Sequence, residues 1–344
     1  MKKITIIIAI ACCLNTNAQT ITAVAGIGAA TNIPVSQETP VISLSPVVLK
    51  VKGRAVDLQV RVSAPTTGRK LPIIILSHGH GMSNNLSSLN GYGPLANFWA
   101  AHGFVVIQPT HQSSKTLSLD PKTPGAPLFW RSRAEDIKSI LDQLDAIEAS
   151  FPEIKGRLDR SRIAVAGVSM GALTASMLLG ARVTDANDPK NATDVDISDP
   201  RIKVGVILSG PGKGGADLAP VAAKFSYALD PSFDKMTTPA LVVMGDKDSG
   251  GMTVRDASWH SDPYFLSNGP KCLLTLFGGK HLLGGVSGYD AAETSDENPE
   301  RVALVQRLTW AYLRTALYPE DSAWSVACKA LAESANTLGK VECK

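Results

Sequence analysis

Hydrophobic positions along the chain fall into two kinds of run. One kind is short, continuous and rich in β-branched residues: 72–76, 104–107, 161–167, 202–209, 240–244 and 272–277. Runs of this kind are predicted as strands buried on both faces. The other kind repeats every three or four residues. Residues 131–151 place Ile137, Ile140, Leu141, Leu144 and Ile147 at helical spacing, and Pro152 closes the run. Further helices are predicted at 92–102, ended by Gly103, at 169–180, at 299–317 and around 322–335. Two stretches, 47–52 and 55–62, predict a hairpin around Gly53. Strands alternating with helices imply an α/β chain with a mainly parallel central sheet and helices on both faces. In such sheets chemistry collects at the carboxyl ends of the strands.

The flanks read differently. Residues 1–18 have the form of an export signal: Lys2 and Lys3, an apolar run from Ile4 to Leu14, then Thr16-Asn17-Ala18. That run is too short to span a bilayer. Cys12 after Ala9-Ile10-Ala11 offers an alternative, a lipid-anchored N-terminus. Residues 19–45 are irregular and rich in Thr, Pro and Ser, the main domain covers 46–318, and 319–344 form a C-terminal helix and tail. Removing the leader leaves roughly 325 residues, enough for one large domain. A net charge of +3, spread without a basic stripe, argues against nucleic acid as a partner. Beyond the leader stand Cys272, Cys328 and Cys343; in an exported chain, Cys328 and Cys343 are placed to close a small loop, with three free thiols as the alternative.

The stretch Gly167-Val168-Ser169-Met170-Gly171 joins the strand at 161–167 to the helix at 169–180. Small residues on both sides permit a sharp turn that lifts the Ser169 hydroxyl clear of the sheet, at the start of a helix. A serine needs a base to take its proton, and the base needs an orienting carboxylate. Gly245-Asp246-Lys247-Asp248 follows a strand and offers two acids. Asp248 is favoured, because it lies far enough past the glycine to bend back; Asp246 suits a turn. Gly278-Gly279-Lys280-His281 follows the next strand and supplies His281 as general base, with His260 as runner-up. Two backbone donors must hold the developing oxyanion: Met170, after the serine, and His80 in Ser77-His78-Gly79-His80-Gly81. The competing reading, His78 and His80 as metal ligands, lacks a third partner nearby. His102 suits a helix C-terminus, and His111 follows a strand end where it lines the site or serves the loop.

With these motifs the chain resembles the α/β-hydrolase superfamily over residues 46–318, in the branch of dienelactone-hydrolase-like and platelet-activating-factor-acetylhydrolase-like esterases. The resemblance implies Ser169 as nucleophile, His281 as base, Asp248 as acid, and His80 and Met170 as oxyanion donors. Val168 and Ala172 depart from it, where many relatives carry histidine and glycine. In some acetylhydrolases the acid follows the preceding strand; here that place reads Ser209-Gly210-Pro211-Gly212, with no carboxylate before Asp217.

The expected protein is an exported serine hydrolase that cleaves small or lipid-like carboxylic esters without cofactor or metal and without membrane insertion. Lactone, amide or carbon–carbon cleavage on the same scaffold is the alternative, and a non-catalytic binding protein a distant second; oligomeric state is left open. Phe129, Trp130, Trp259, Tyr264 and Phe265 are candidates for an apolar substrate pocket or for plain core packing. The acidic segment 185–199 is expected as a solvated loop, with calcium binding as the alternative. Residues 282–298, with Gly288-Tyr289, are expected to flank the site and to move.

Overall fold

Six parallel strands form the centre of the molecule, in the spatial order β4, β3, β5, β7, β9, β10. The computed structural model describes residues 29–186, 188, 190, 192–224, 229–288, 291–334 and 337–344. The expected export signal at 1–18, Cys12, the extension up to residue 28, Tyr289 and Ala335 lie outside the described residues. In chain order the strands are β1 (Val41–Leu49), β2 (Leu58–Pro65), β3 (Leu71–Ser77), β4 (Val105–Pro109), β5 (Leu158–Val168), β6 (Arg182–Asp185), β7 (Ile202–Leu208), β8 (Leu229–Ser232), β9 (Ala240–Gly245), β10 (Lys271–Leu276) and β11 (Gly339–Cys343). The helices are α1 (Gly93–Ala101), α2 (Trp130–Asp142), α3 (Leu144–Ser150), α4 (Met170–Leu178), α5 (Pro220–Lys224), α6 (Asp262–Phe265), α7 (Pro299–Leu317) and α8 (Ala323–Ala332).

Continuous apolar strands bury both faces because alternate residues point opposite ways. Ile73, Ile75, Val105, Ile107, Val165 and Val242 face one core, built with α2, α3 and α4. Ile74, Leu76, Val106, Ala166, Val243 and Leu274 face the other, built with α1, α7 and α8. Helices therefore cover both faces, as the run pattern implies. β1 and β2 extend one side of the sheet with antiparallel pairing, and β11 closes the other. No helix among the described residues is long and apolar enough to cross a membrane.

Several boundaries differ from expectation. β1 begins at Val41, inside the segment read as irregular, and pairs with β2 through residue 65. The long helix at 131–151 breaks at Gln143 (φ −112°, ψ 23°) into α2 and α3. A two-stranded ribbon, β6 against β8, lies outside the main sheet and has no counterpart in the sequence reading. The C-terminal segment ends in β11 rather than a tail. That strand sets Cys343 directly opposite Cys272, and these two form the disulfide. The expected Cys328–Cys343 loop does not form. Cys328 is free on α8, where burial pushes its thiol up to about 11.

Candidate active site

The parallel strands all end at one edge, and the turn between β5 and α4 sits there. Ser169 occupies that turn with φ 55° and ψ −118°, a backbone conformation that costs a non-glycine residue about 1–3 kcal/mol. The surroundings hold it. Its amide donates to Leu208 O at 2.9 Å, and its carbonyl accepts from Ala172 N at 2.9 Å. Side chains are excluded on either side: a Cβ on Gly167 would strike the Gly171 carbonyl, and one on Gly171 would strike that of Ser77. Ser169 faces a cavity of about 320 Å³, shared with His80, Met170, Asp248, His260 and His281.

Asp248 and His281 meet at that cavity. His281 Nδ1–H donates to Asp248 Oδ2 at 2.9 Å, and the histidine side chain is 41% exposed while the aspartate is 1% exposed. Burial works against the charged carboxylate, but hydrogen bonds from His260 and His281 outweigh it and hold Asp248 well below the usual carboxylate range. Asp246 has the turn role: Oδ1 accepts from Gly278 N at 2.7 Å and steadies the loop that carries His281. Among the described residues no hydrogen bond engages Ser169 Oγ. In ligand-free sites a serine–histidine bond is often long and closes with substrate.

The loop after β3 is pinned from three sides. Arg133 donates to the His78 carbonyl, Gly79 N donates to Tyr92 Oη at 2.9 Å, and Glu293 Oε1 accepts from Met82 N and Ser83 N at 2.6 and 2.7 Å. Between these anchors, no hydrogen bond among the described residues engages the amide of His80, nor that of Met170 at the start of α4. His78 is not available to a metal. Nδ1–H donates to Gly79 O at 2.6 Å, and Nε2 accepts from His111 N at 3.0 Å.

Other expected residues lie elsewhere. His111 does not line the cavity; it is fully buried, with Nε2 on Ser77 Oγ and Nδ1 on Asp136, each at 2.9 Å. His102 caps α1 as expected, although burial pushes its ring toward the neutral form. Of the five aromatics, Trp259 alone lines the cavity. Phe129 and Trp130 are buried where α2 begins, Trp130 Nε1 donating to Asp185; Tyr264 is buried, and Phe265 is exposed away from the cavity. The rest of the apolar wall includes Leu173, Leu218, Leu229, Pro231 and Met252. Leu229 and Pro231 belong to β8, and Leu218 is bridged to Thr253, so short polar-flanked segments without a periodic signal build this wall.

The acidic segment is not simply solvated. Asp196 pairs with Arg182, Asp199 with Arg201, and Asp185 accepts from Trp130, which leaves no convergent calcium cage among these three acids. From the described part of 282–298, Glu293 reaches the loop after β3 at Met82 and Ser83, just past His80. Asp248, His260 and His281 are the described residues whose donor atoms cluster as a metal site would, within 4.8 Å. Their direct contacts of 2.9 and 3.1 Å are hydrogen-bond lengths, shorter than the roughly 3.3 Å edges that ~2.0–2.1 Å bonds give a tetrahedral ion. Comparison with protein-family models and with curated proteins finds no match for this chain.

Proposed function

We propose that this chain is an exported serine hydrolase of the α/β-hydrolase superfamily that cleaves carboxylic esters through an acyl-enzyme. One observation carries the reading: a serine held at positive φ on a strand-to-helix turn shares a cavity with a half-exposed histidine bonded to a buried carboxylate. Ser169 Oγ attacks the ester carbonyl while His281 Nε2 takes its proton. Asp248 fixes the ring through Nδ1–H and stabilises its positive charge. The amides of His80 and Met170 receive the oxyanion, aided by the N-terminus of α4. His281 then protonates the leaving alcohol, and a water deprotonated by the same ring releases the acid.

The apolar wall of Leu173, Leu218, Leu229, Met252 and Trp259 suits a hydrocarbon acyl or alcohol group. The test is direct. A fluorophosphonate probe is expected to label Ser169 in the wild type and leave Ser169→Ala unlabelled, with p-nitrophenyl ester hydrolysis lost in parallel. Retention of hydrolysis by Ser169→Ala would overturn the proposal. A series of esters is expected to show kcat/KM rising with acyl length until the apolar wall is filled.

A further inference from the structure

Asp248 has a second histidine. His260 Nε2 lies 3.1 Å from Asp248 Oδ2, on the oxygen that also accepts from His281. The ring comes from the short helical turn at Ala257–Ser261 and is almost wholly buried. Its other nitrogen, Nδ1, lies 2.7 Å from the Gly210 carbonyl oxygen. A carbonyl oxygen only accepts, so Nδ1 carries hydrogen. An ionised carboxylate also only accepts, so a bond from Nε2 to Asp248 would need a second hydrogen on the ring. A neutral imidazole has a single N–H and satisfies one of these contacts, not both.

We infer that His260 is a positioning residue for the acid: it holds a proton on each ring nitrogen and clamps Asp248 between the Gly210 carbonyl and His281. This rests on the serine-hydrolase reading, because it acts through Asp248. Two consequences follow for the reaction. First, the clamp aims Oδ2 at His281; Asp248 Oδ1 is buried with no hydrogen-bond partner among the described residues, where the two histidines orient the carboxylate. Second, the His260 charge offsets that of Asp248 as felt by His281, whose ring centre is 5.7 Å from that of His260. The groups facing His260 are Asp248 from the loop after β9 and His281 from the loop after β10. On its own segment Asp262 is taken up by Arg255 and the amide of Lys213, and Trp259 meets the ring edge-on.

Two substitutions separate the clamp from the charge. His260→Gln keeps an N–H for Asp248 but no charge, and His260→Leu keeps neither. Removing a cation beside the base is expected to move the acid limb of the kcat/KM–pH profile upward by about one pH unit in both. His260→Leu is expected to lose roughly tenfold or more in kcat with little change in KM, and His260→Gln to recover part of that loss. A residue that merely fills space would lower the unfolding midpoint in both variants and leave the limb in place; an unmoved limb with wild-type kcat overturns the inference. Should neither variant fold, the histidine ¹⁵N spectrum of the wild type decides: both His260 nitrogens protonated at the pH of maximal activity supports it, and one bare nitrogen refutes it. Wild-type protein that neither takes the fluorophosphonate label nor hydrolyses esters overturns the hydrolase reading instead, and with it this role for His260.

Discussion

Among the described residues two Ser–His–Asp sets stand out, and the one whose serine–histidine bond is closed is sealed away from the cavity. In the sealed set, Ser77 Oγ meets His111 Nε2 and His111 Nδ1 meets Asp136, both at 2.9 Å, with all three residues essentially inaccessible. In the cavity set, His281 meets Asp248 at the same 2.9 Å while no hydrogen bond among the described residues engages Ser169 Oγ. What distinguishes them is access, backbone and charge. Ser169 is half-buried at positive φ beside an apolar wall and the amides of His80 and Met170, which no described residue engages; Ser77 is the last residue of a buried strand.

Charge settles differently in the two. In the cavity, hydrogen bonds from two histidines overcome burial and hold Asp248 low. In the sealed set burial wins: His111 is held well below the usual histidine range and the Asp136 carboxyl is pushed up to about 6, despite Arg54 bonded to it at 2.7 Å. The sealed set serves as a support. Through the contact of His111 N with His78, and with Arg133 on the His78 carbonyl, it holds the loop that offers the His80 amide to the cavity.

The sharpest way to break this distinction is to delete each serine oxygen. Ser169→Ala is expected to lower kcat/KM on a p-nitrophenyl ester by ~10⁴-fold or more, and Ser77→Ala by less than about tenfold. Equal losses would abolish the difference in role. The acids should divide the same way. Asp248→Asn is expected to cost on the order of 10³–10⁴ in kcat. Asp136→Asn removes the charge opposite buried Arg54 and is expected to cost about 3–5 kcal/mol in urea unfolding, with kcat of the folded fraction within tenfold of wild type.

Acid should expose the sealed set next. Unfolded histidines take up protons near pH ~6.5, whereas His78 and His111, held low by burial and then by Arg133, do not. Falling pH therefore favours the unfolded chain. Asp136 opposes this below pH ~6, because the folded carboxyl takes its proton before the unfolded one does. For these three groups the two histidines outweigh the carboxyl, so they lower stability between pH ~7.5 and pH ~5.5, and His111→Gln should flatten the slope of urea midpoint against pH relative to wild type. The smallest effect is expected at the clamp on the oxyanion loop: Glu293→Ala should lower kcat several-fold with KM nearly constant in steady-state assays. An unchanged kcat would mean that Arg133 and Tyr92 hold the loop unaided.

How much could be read in advance follows the range of each interaction. The parallel sheet covered on both faces was legible because strand and helix periodicities are local. So were the positions of Ser169, Asp248, His281 and His80 at strand ends, because glycine-flanked turns after apolar runs mark those ends. Lost were the pairing of Cys272 with Cys343, separated by 71 residues, and the wall supplied by β8. His260 was visible as a histidine near the acid, but nothing local marks its contact with Asp248. The sealed set was hidden for the same reason: Ser77, His111 and Asp136 carry no shared motif, and Arg54 reaches Asp136 across 82 residues.

From the chain alone came the elements, their order, and a serine, an acid, a histidine and a glycine-rich loop at the ends of successive strands. Periodicity and turn chemistry suffice for that, since both act over a few residues. Which of two serine–histidine–aspartate sets opens to a cavity, and which histidines an aspartate touches, was decided only by packing. Burial, hydrogen-bond partners and the balance between desolvation and charge are properties of neighbours in space, and the chain brings those together only when the sheet is assembled.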